Sequence, residues 1–161
     1  MQLDRLTIKS QEALQRAQQR AGDYGHAEVD VDHLVLALVE QEDGVVRPLL
    51  ERLGVAPEQL REPLERSLSA RARVEGGAER YLSRSLRQAL DAAFRAAEKM
   101  KDEYISGEHL LLAALQQPGS ETARAAGRLG LTPDAVLKAL QAVRGNQRVT
   151  DQAPEDKYEA L

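Results

Sequence analysis

Two acid–histidine pairs are the residues of this sequence whose types and spacing could do chemistry. Asp32 precedes His33 in VDVDHLVLALV, and Glu108 precedes His109 in ISGEHLLLAAL. Such a pair could form an acid–base couple or contribute two metal ligands. Neither copy supplies three close ligands at a recognised metal spacing, and no nucleophile motif accompanies the pairs. The sequence therefore predicts no metal site, no catalytic residue and no enzyme activity in this chain.

The position of both histidines is explained by the start of a helix. Each lies three residues after a residue suited to cap a helix, Asp30 in the first copy and Ser106 in the second. At that position the ring can satisfy exposed backbone donors, and the acid before it favours the positive end of the helix. The histidines are therefore interpreted as structural. His26 is interpreted as a loop residue with no counterpart in the other copy.

Composition limits the fold and the classes of partner. The 161 residues are 42% hydrophobic but only 3% aromatic, so the core must be built from Leu, Val and Ala, which favours helices. The chain contains no Cys, which suits the cytoplasm. It lacks a signal peptide and any apolar run that could span a membrane, and its net charge of -4 comes without a basic stripe. We expect neither a membrane nor a nucleic acid as partner.

An internal repeat sets the architecture. A shift of 76 positions (109 − 33) places His33 on His109, and the match continues without a gap from about Leu6 to Leu64. Each copy reads as about four helices, the second of which is apolar around most of its circumference and should be central. The fold class is therefore predicted to be all-α, with two pseudo-symmetric four-helix repeats, about eight helices, packed as one domain.

The domain boundaries follow from the same pattern. The first helix begins near Thr7 or Ser83, and the third ends at Gly54 or Gly130, because glycine ends helices without steric cost. A domain is predicted over residues 1–143, and a linker over 144–161 with a helix beginning at Pro154. Within the domain, the sequence divides into repeat one (about 5–67), a connector (69–79) and repeat two (about 81–143).

The motifs, taken together, resemble the Clp amino-terminal domain family, and its ClpB branch in particular. The resemblance is carried by LDRLT near the start, the two His-Leu helices, VEG, YLS and the closing VTDQAPEDKYEAL, and it covers essentially the whole chain. It implies a fold of two four-helix repeats, tethered in the parent protein to two ATPase modules that form a hexameric ring. This chain has no G-x-x-x-x-G-K-[ST] phosphate loop, so no cofactor is expected in it. ATP and Mg belong to the absent ATPase modules, and the isolated domain is expected to be a monomer.

The resemblance also implies a function. The domain would engage unfolded or aggregated proteins and help deliver them to the ring pore of a disaggregase, in cooperation with the DnaK chaperone system. The alternative is a regulatory domain that binds adaptors or phosphorylated arginine, as in the ClpA and ClpC branches. A third hypothesis, a helical metal hydrolase, would require stoichiometric metal.

Substrate-binding candidates come partly from this resemblance. Thr7, Asp32 and Glu108 match positions that the family associates with substrate engagement, and Asp102 matches a position linked to chaperone activity, although an ordinary loop acid is an equally good interpretation. Because unfolded chains share exposed apolar residues, an apolar groove is also required. The sequence favours Tyr104 and Ile105, which precede a helix, and adds Leu110 as a further candidate.

Overall fold

The computed structural model describes residues 3–74, 79–145 and 149–150. Within these ranges the chain forms eight α-helices, preceded by one turn of 3-10 helix at Leu3–Arg5, so the all-α prediction is confirmed. The helices of repeat one are α1 (Ile8–Asp23), α2 (Val31–Glu40), α3 (Val46–Arg52) and α4 (Pro57–Ala70). Those of repeat two are α5 (Arg84–Lys99), α6 (Gly107–Leu115), α7 (Glu121–Leu129) and α8 (Pro133–Arg144).

Hydroxyl side chains start most of the helices, as the sequence pattern predicts. Thr7, Ser83, Ser120 and Thr132 each accept a hydrogen bond from the backbone N–H three residues later, which satisfies a donor that the helix itself leaves unpaired. Ala56, which precedes α4, has no side-chain oxygen and makes no such bond. The starts of these helices are therefore specified by residues close to each helix end.

The two central helices form the core. Every residue from Val31 to Val39 in α2 is buried, as is every residue from Gly107 to Ala114 in α6. Helices α2 and α6 contact each other, while α1 packs on α2 and α5 packs on α6. An α-helix that is apolar on all sides must be covered on all sides, which places this pair at the centre of the domain.

Short segments that precede helices in one repeat pair with corresponding segments of the other repeat. Strand β1 (Glu28–Val29), before α2, pairs in parallel with strand β2 (Tyr81–Leu82), before α5. In the equivalent place Leu6, before α1, forms a parallel bridge with Ile105, before α6. The sequence predicts no strands, because pairs of two residues are too short for an alternating pattern to be recognised. Contacts between α4 and α7 and between α3 and α8 also cross from one repeat to the other.

The segment boundaries differ from the prediction at two points. Ser69 and Ala70, assigned to the connector, belong to α4. Arg144, assigned to the linker, is the last residue of α8, and Val149 is fully buried. The domain therefore extends beyond residue 143, because the Arg144 side chain and the Val149 N–H both donate to the buried Asp102 carboxylate. The predicted helix at Pro154 lies outside the described residues. Across the described part of the chain, no helix has the length and apolar character to cross a membrane.

Candidate functional site

Both acid–histidine pairs begin a central helix and use the histidine in the same way. His33 Nδ1 accepts a hydrogen bond from the backbone N–H of Asp30 at 2.9 Å, and His109 Nδ1 accepts one from Ser106 at 2.9 Å. Because Nδ1 is the acceptor in each ring, the neutral imidazole carries its proton on Nε2. The structure thus confirms the predicted capping role of both histidines.

In repeat two, a buried charge network surrounds His109. Its Nε2–H donates to Asp102 Oδ2 at 2.7 Å, and the other oxygen of Asp102 accepts from Arg144 Nη2 at 2.5 Å and from the Val149 N–H at 2.8 Å. Burial acts to raise the pKa of Asp102, but the hydrogen bonds from His109, Arg144 and Val149 outweigh it and lower the pKa to about 2. Asp102 is therefore an ionised hub that connects α6, α8 and the segment after α8.

Glu108 belongs to the same buried region. One carboxylate oxygen accepts a hydrogen bond from the Ser106 hydroxyl, while Oε2 lies 3.8 Å from Arg144 Nη1 and has no hydrogen-bond donor among the described residues. The Glu108 side chain is fully buried. It therefore faces the interior of the domain.

In repeat one, a histidine occupies the position that Asp102 has in repeat two. A shift of 76 positions relates His26 to Asp102, and His33 Nε2 contacts His26 Nδ1 at 2.9 Å. The prediction that His26 lacks a counterpart is therefore wrong, because the counterpart is an acid and comparison by residue type misses it. Burial, the neighbouring His26 ring and the Arg71 charge lower the pKa of His33 to about 4. Burial and Arg71 also lower the pKa of His26.

Asp32 is an interior helix cap. Its carboxylate accepts hydrogen bonds from the Thr122 N–H at 2.9 Å, from the Thr122 hydroxyl at 2.7 Å and from the Glu121 N–H at 3.2 Å, all at the start of α7. Arg71, which directly follows α4, donates to the same carboxylate at 2.6 Å and to Asp30 at 3.2 Å. Asp32 thus fixes the start of a helix in the other repeat, and Arg71 neutralises its charge.

The candidate binding residues lie mostly in the interior. Asp32 and Glu108 are both 0% exposed, so neither acid lies at an exposed edge of its helix. Four more candidates are buried by hydrogen bonding or core packing: Thr7, Asp102, Ile105 and Leu110. Among the candidates, only Tyr104 is partly exposed. Asp102 is therefore not an ordinary loop acid. A role for these residues in substrate binding stays a prediction.

A shallow groove beside α1 is the apolar surface that sequence reasoning missed. It has a volume of about 210 Å³ and is lined by Leu3, Leu6, Gln11, Leu14, Gln15 and Gln18. Leu3 is 50% exposed, and Ile8 is 46% exposed and lies on the same helical face, three residues before Gln11. The available signal was this uncharged face of α1, where Ile8, Gln11, Gln15 and Gln18 follow one another at helical spacing beside Leu14.

Two further clefts are more polar. One, of about 220 Å³, lies where the connector meets repeat one and is lined by residues that include Arg71, Val74 and Tyr81. The other lies between α4 and α7 and carries Arg66, Arg128 and Glu121. No group of three or more acidic, histidine or cysteine side chains in the described ranges could hold a metal ion.

Comparison with known sequences identifies the family of this chain. The family model described as the Clp repeat (R) N-terminal domain matches residues 5–127. The chaperone protein ClpB of Nitratidesulfovibrio vulgaris is 45% identical across the whole of this chain, which spans only 19% of that relative's length.

Solved structures share the architecture. The Hsp104 N-terminal domain of Candida albicans superimposes with a TM-score of 0.82 at 18% identity, covering 93% of this chain and 98% of that one. The N-domain of ClpV, solved as a complex with VipB peptide, superimposes with a TM-score of 0.71 at 17% identity over 89% of each chain. At these identities the likeness establishes the fold alone.

Proposed function

Because this chain belongs to the Clp repeat N-terminal domain family, we propose that it is the noncatalytic substrate-binding domain of a ClpB-type, ATP-dependent disaggregase. It engages exposed apolar segments of unfolded or aggregated proteins in the cytoplasm and raises their concentration near the ring pore. ATP and Mg act only in the ATPase modules of the longer, hexameric parent protein, which cooperates with the DnaK system. Neither nucleic acid nor a membrane is a partner.

The α1 groove is the observation that carries this proposal. An unfolded client presents apolar side chains without a fixed sequence, so its receptor needs an apolar surface with adaptable polar neighbours. Leu3 supplies the exposed apolar surface, buried Leu6 and Leu14 form the floor beneath it, and the glutamines that also line the groove can donate and accept hydrogen bonds without the cost of burying a charge. The peptide seen on the ClpV N-domain is a precedent from a protein of the same fold.

A binding experiment tests the groove directly. The probe is a fluorescently labelled lactalbumin kept unfolded by reduction and alkylation, and affinity is measured by anisotropy. Covering the exposed half of a leucine contributes about 1 kcal/mol, which is about fivefold in affinity. We expect Leu3→Asp and Ile8→Asp each to weaken binding by about fivefold or more, and added salt to have little effect on the wild type.

Leu137→Asp provides the matched control. Leu137 is also a surface apolar residue, 37% exposed, but it lies on α8 and does not line the groove. The control should keep wild-type affinity. Equal affinity in all three variants, or an equal loss in all three, would rule out the α1 groove as the client site.

The geometry gives less support to a phosphoarginine reader. A guanidinium ligand would need a free carboxylate, but Asp32 already binds Arg71 and the start of α7. Glu108 is enclosed in the core. That alternative stays a prediction, and saturable binding of free phosphoarginine that is lost in Asp32→Ala and Glu108→Ala variants shown to be folded would establish it.

A further inference from the structure

A layer of backbone hydrogen bonds runs beneath one end of the α1 groove. The Ile105 N–H donates to the Arg5 carbonyl at 2.8 Å, and the Thr7 N–H donates to the Ile105 carbonyl at 3.0 Å. These two bonds hold Leu6, which lines the groove, against fully buried Ile105. The position of residues 3–7 therefore depends on the position of Ile105.

The other side of the same layer is formed by the chain after α8. The N–H groups of Glu103 and Tyr104 donate to the Val149 carbonyl at 2.7 and 3.3 Å, and the Val149 N–H donates to Asp102 at 2.8 Å. The Val149 side chain is 0% exposed. Three hydrogen bonds thus hold the backbone of Val149 to the loop that ends at Ile105, two from backbone N–H groups and one to the Asp102 carboxylate.

We propose that docking of Val149 organises the α1 groove, so that client binding and the anchoring of the chain after α8 are thermodynamically coupled. The inference rests on the proposed function of that groove and assigns its regulation. Val149 fixes Tyr104, Tyr104 is followed directly by Ile105, and Ile105 holds the segment that carries Leu3 and Leu6.

Coupling of this kind is reciprocal. If docked Val149 raises client affinity by some factor, bound client stabilises docked Val149 by the same factor. In a longer protein, a client bound at the groove would then alter how firmly the domain holds the chain that leaves it. Asp102 acts here as a positioning residue, since its carboxylate holds the Val149 N–H and Arg144 together at the base of the layer.

The first test needs no client. Val149→Gly removes the buried side chain but keeps every backbone donor and acceptor, and Val149→Ala is a milder version. Hydrogen exchange followed by NMR should become at least about fivefold faster at the amides of Tyr104, Ile105 and Thr7, the lower range of typical coupling. Val74→Gly, at an exposed valine outside the layer, should leave these three amides unchanged.

The second test measures binding of the same unfolded lactalbumin. Val149→Gly should weaken affinity by about fivefold or more, with Val149→Ala intermediate, and saturating lactalbumin should slow exchange of the wild-type Val149 amide. Far-UV circular dichroism and the exchange of α2 amides establish that the variants are folded. If Val149→Gly unfolds the domain, Val149→Ala decides both measurements.

The outcomes separate this inference from the proposed function. Faster exchange at Tyr104 with unchanged exchange at Ile105 and Thr7 would overturn the coupling, whether or not the client binds. Unchanged affinity in a folded, undocked Val149 variant would overturn the coupling while leaving the groove function in place. Failure of the wild-type chain to bind lactalbumin would overturn the groove function, and the exchange data would still decide whether the layer transmits undocking to the groove.

Discussion

Acidification between pH 7 and pH 4.5 should weaken the domain mainly through repeat one. The perturbation acts on His33, whose pKa is lowered from 6.5 to about 4 by burial, by the His26 ring and by Arg71. Unfolded chains bind the proton near pH 6.5, whereas the folded domain resists it until about pH 4. The unfolded state therefore binds more protons in this window, and the free energy of unfolding falls as the pH falls.

The magnitude follows from the two pKa values. Their difference of about 2.5, at about 1.4 kcal/mol for each pH unit, corresponds to about 3 kcal/mol that His33 contributes at neutral pH and that is lost by about pH 4. Integrated from pH 7 to pH 4.5, the loss is about 2 kcal/mol. The lowered pKa of His26 acts in the same direction. Asp102, with a pKa of about 2 against 3.8, contributes a separate loss of about 2 kcal/mol only below about pH 4.

Urea unfolding at a series of pH values, with an NMR titration of the His33 ring, measures these quantities. His33→Gln is the informative variant, because glutamine keeps the capping geometry at this helix position but does not titrate. Its free energy of unfolding should fall by about 2 kcal/mol less than that of the wild type between pH 7 and pH 4.5. Parallel curves for the two proteins, or a His33 ring that titrates near pH 6.5 in the folded domain, would refute the reasoning.

Three further predictions concern a left-handed backbone residue, a buried ion pair and the packing of the core. Lys101 adopts a left-handed backbone with φ of 61°, so Lys101→Gly should raise the urea midpoint by the equivalent of about 0.5 to 1 kcal/mol; a lower midpoint would contradict this. Arg71→Ala leaves the buried Asp32 carboxylate without its cation and should cost about 1 to 2 kcal/mol, whereas Arg66→Ala, at an exposed ion pair, should change stability by less than about 0.5. Leu36→Ala opens the centre of α2 and should cost about 2 to 5 kcal/mol by calorimetry; a loss below about 1 kcal/mol would place Leu36 outside the tight core.

The helices could be predicted from the sequence because their signals are local. Ser120 and Thr132 begin helices, Gly130 ends one with φ of 73°, and the apolar run after Asp30 has only one stable environment, the core. The repeat then fixes the pseudo-symmetric arrangement. The inferences about helix ends depend on residues within a few positions of one another, and the repeat is visible because its two copies align without a gap.

The site could not be predicted in the same way, because its partners are distant in sequence. Asp32 meets Thr122 across 90 residues, and Asp102 meets Arg144 across 42 and Val149 across 47. Asp32 looks exposed when only its own helix is considered, since α7, whose start encloses it, belongs to the other repeat. His26 and Asp102 correspond by the shift of 76 positions but differ in residue type, so their common role becomes visible only in their contact with the capping histidine.

The two repeats meet the same electrostatic requirement in the same way. Each central helix starts with a buried acid that needs a cation, and the cation comes from the end of the fourth helix in the same repeat, Arg71 just after α4 and Arg144 at the end of α8. Breaking a buried pair costs more than forming it gains, so the segment that supplies the arginine is held firmly. The starts of the central helices therefore anchor the chain where it leaves each repeat, and in repeat two that anchor extends to Val149 beneath the groove.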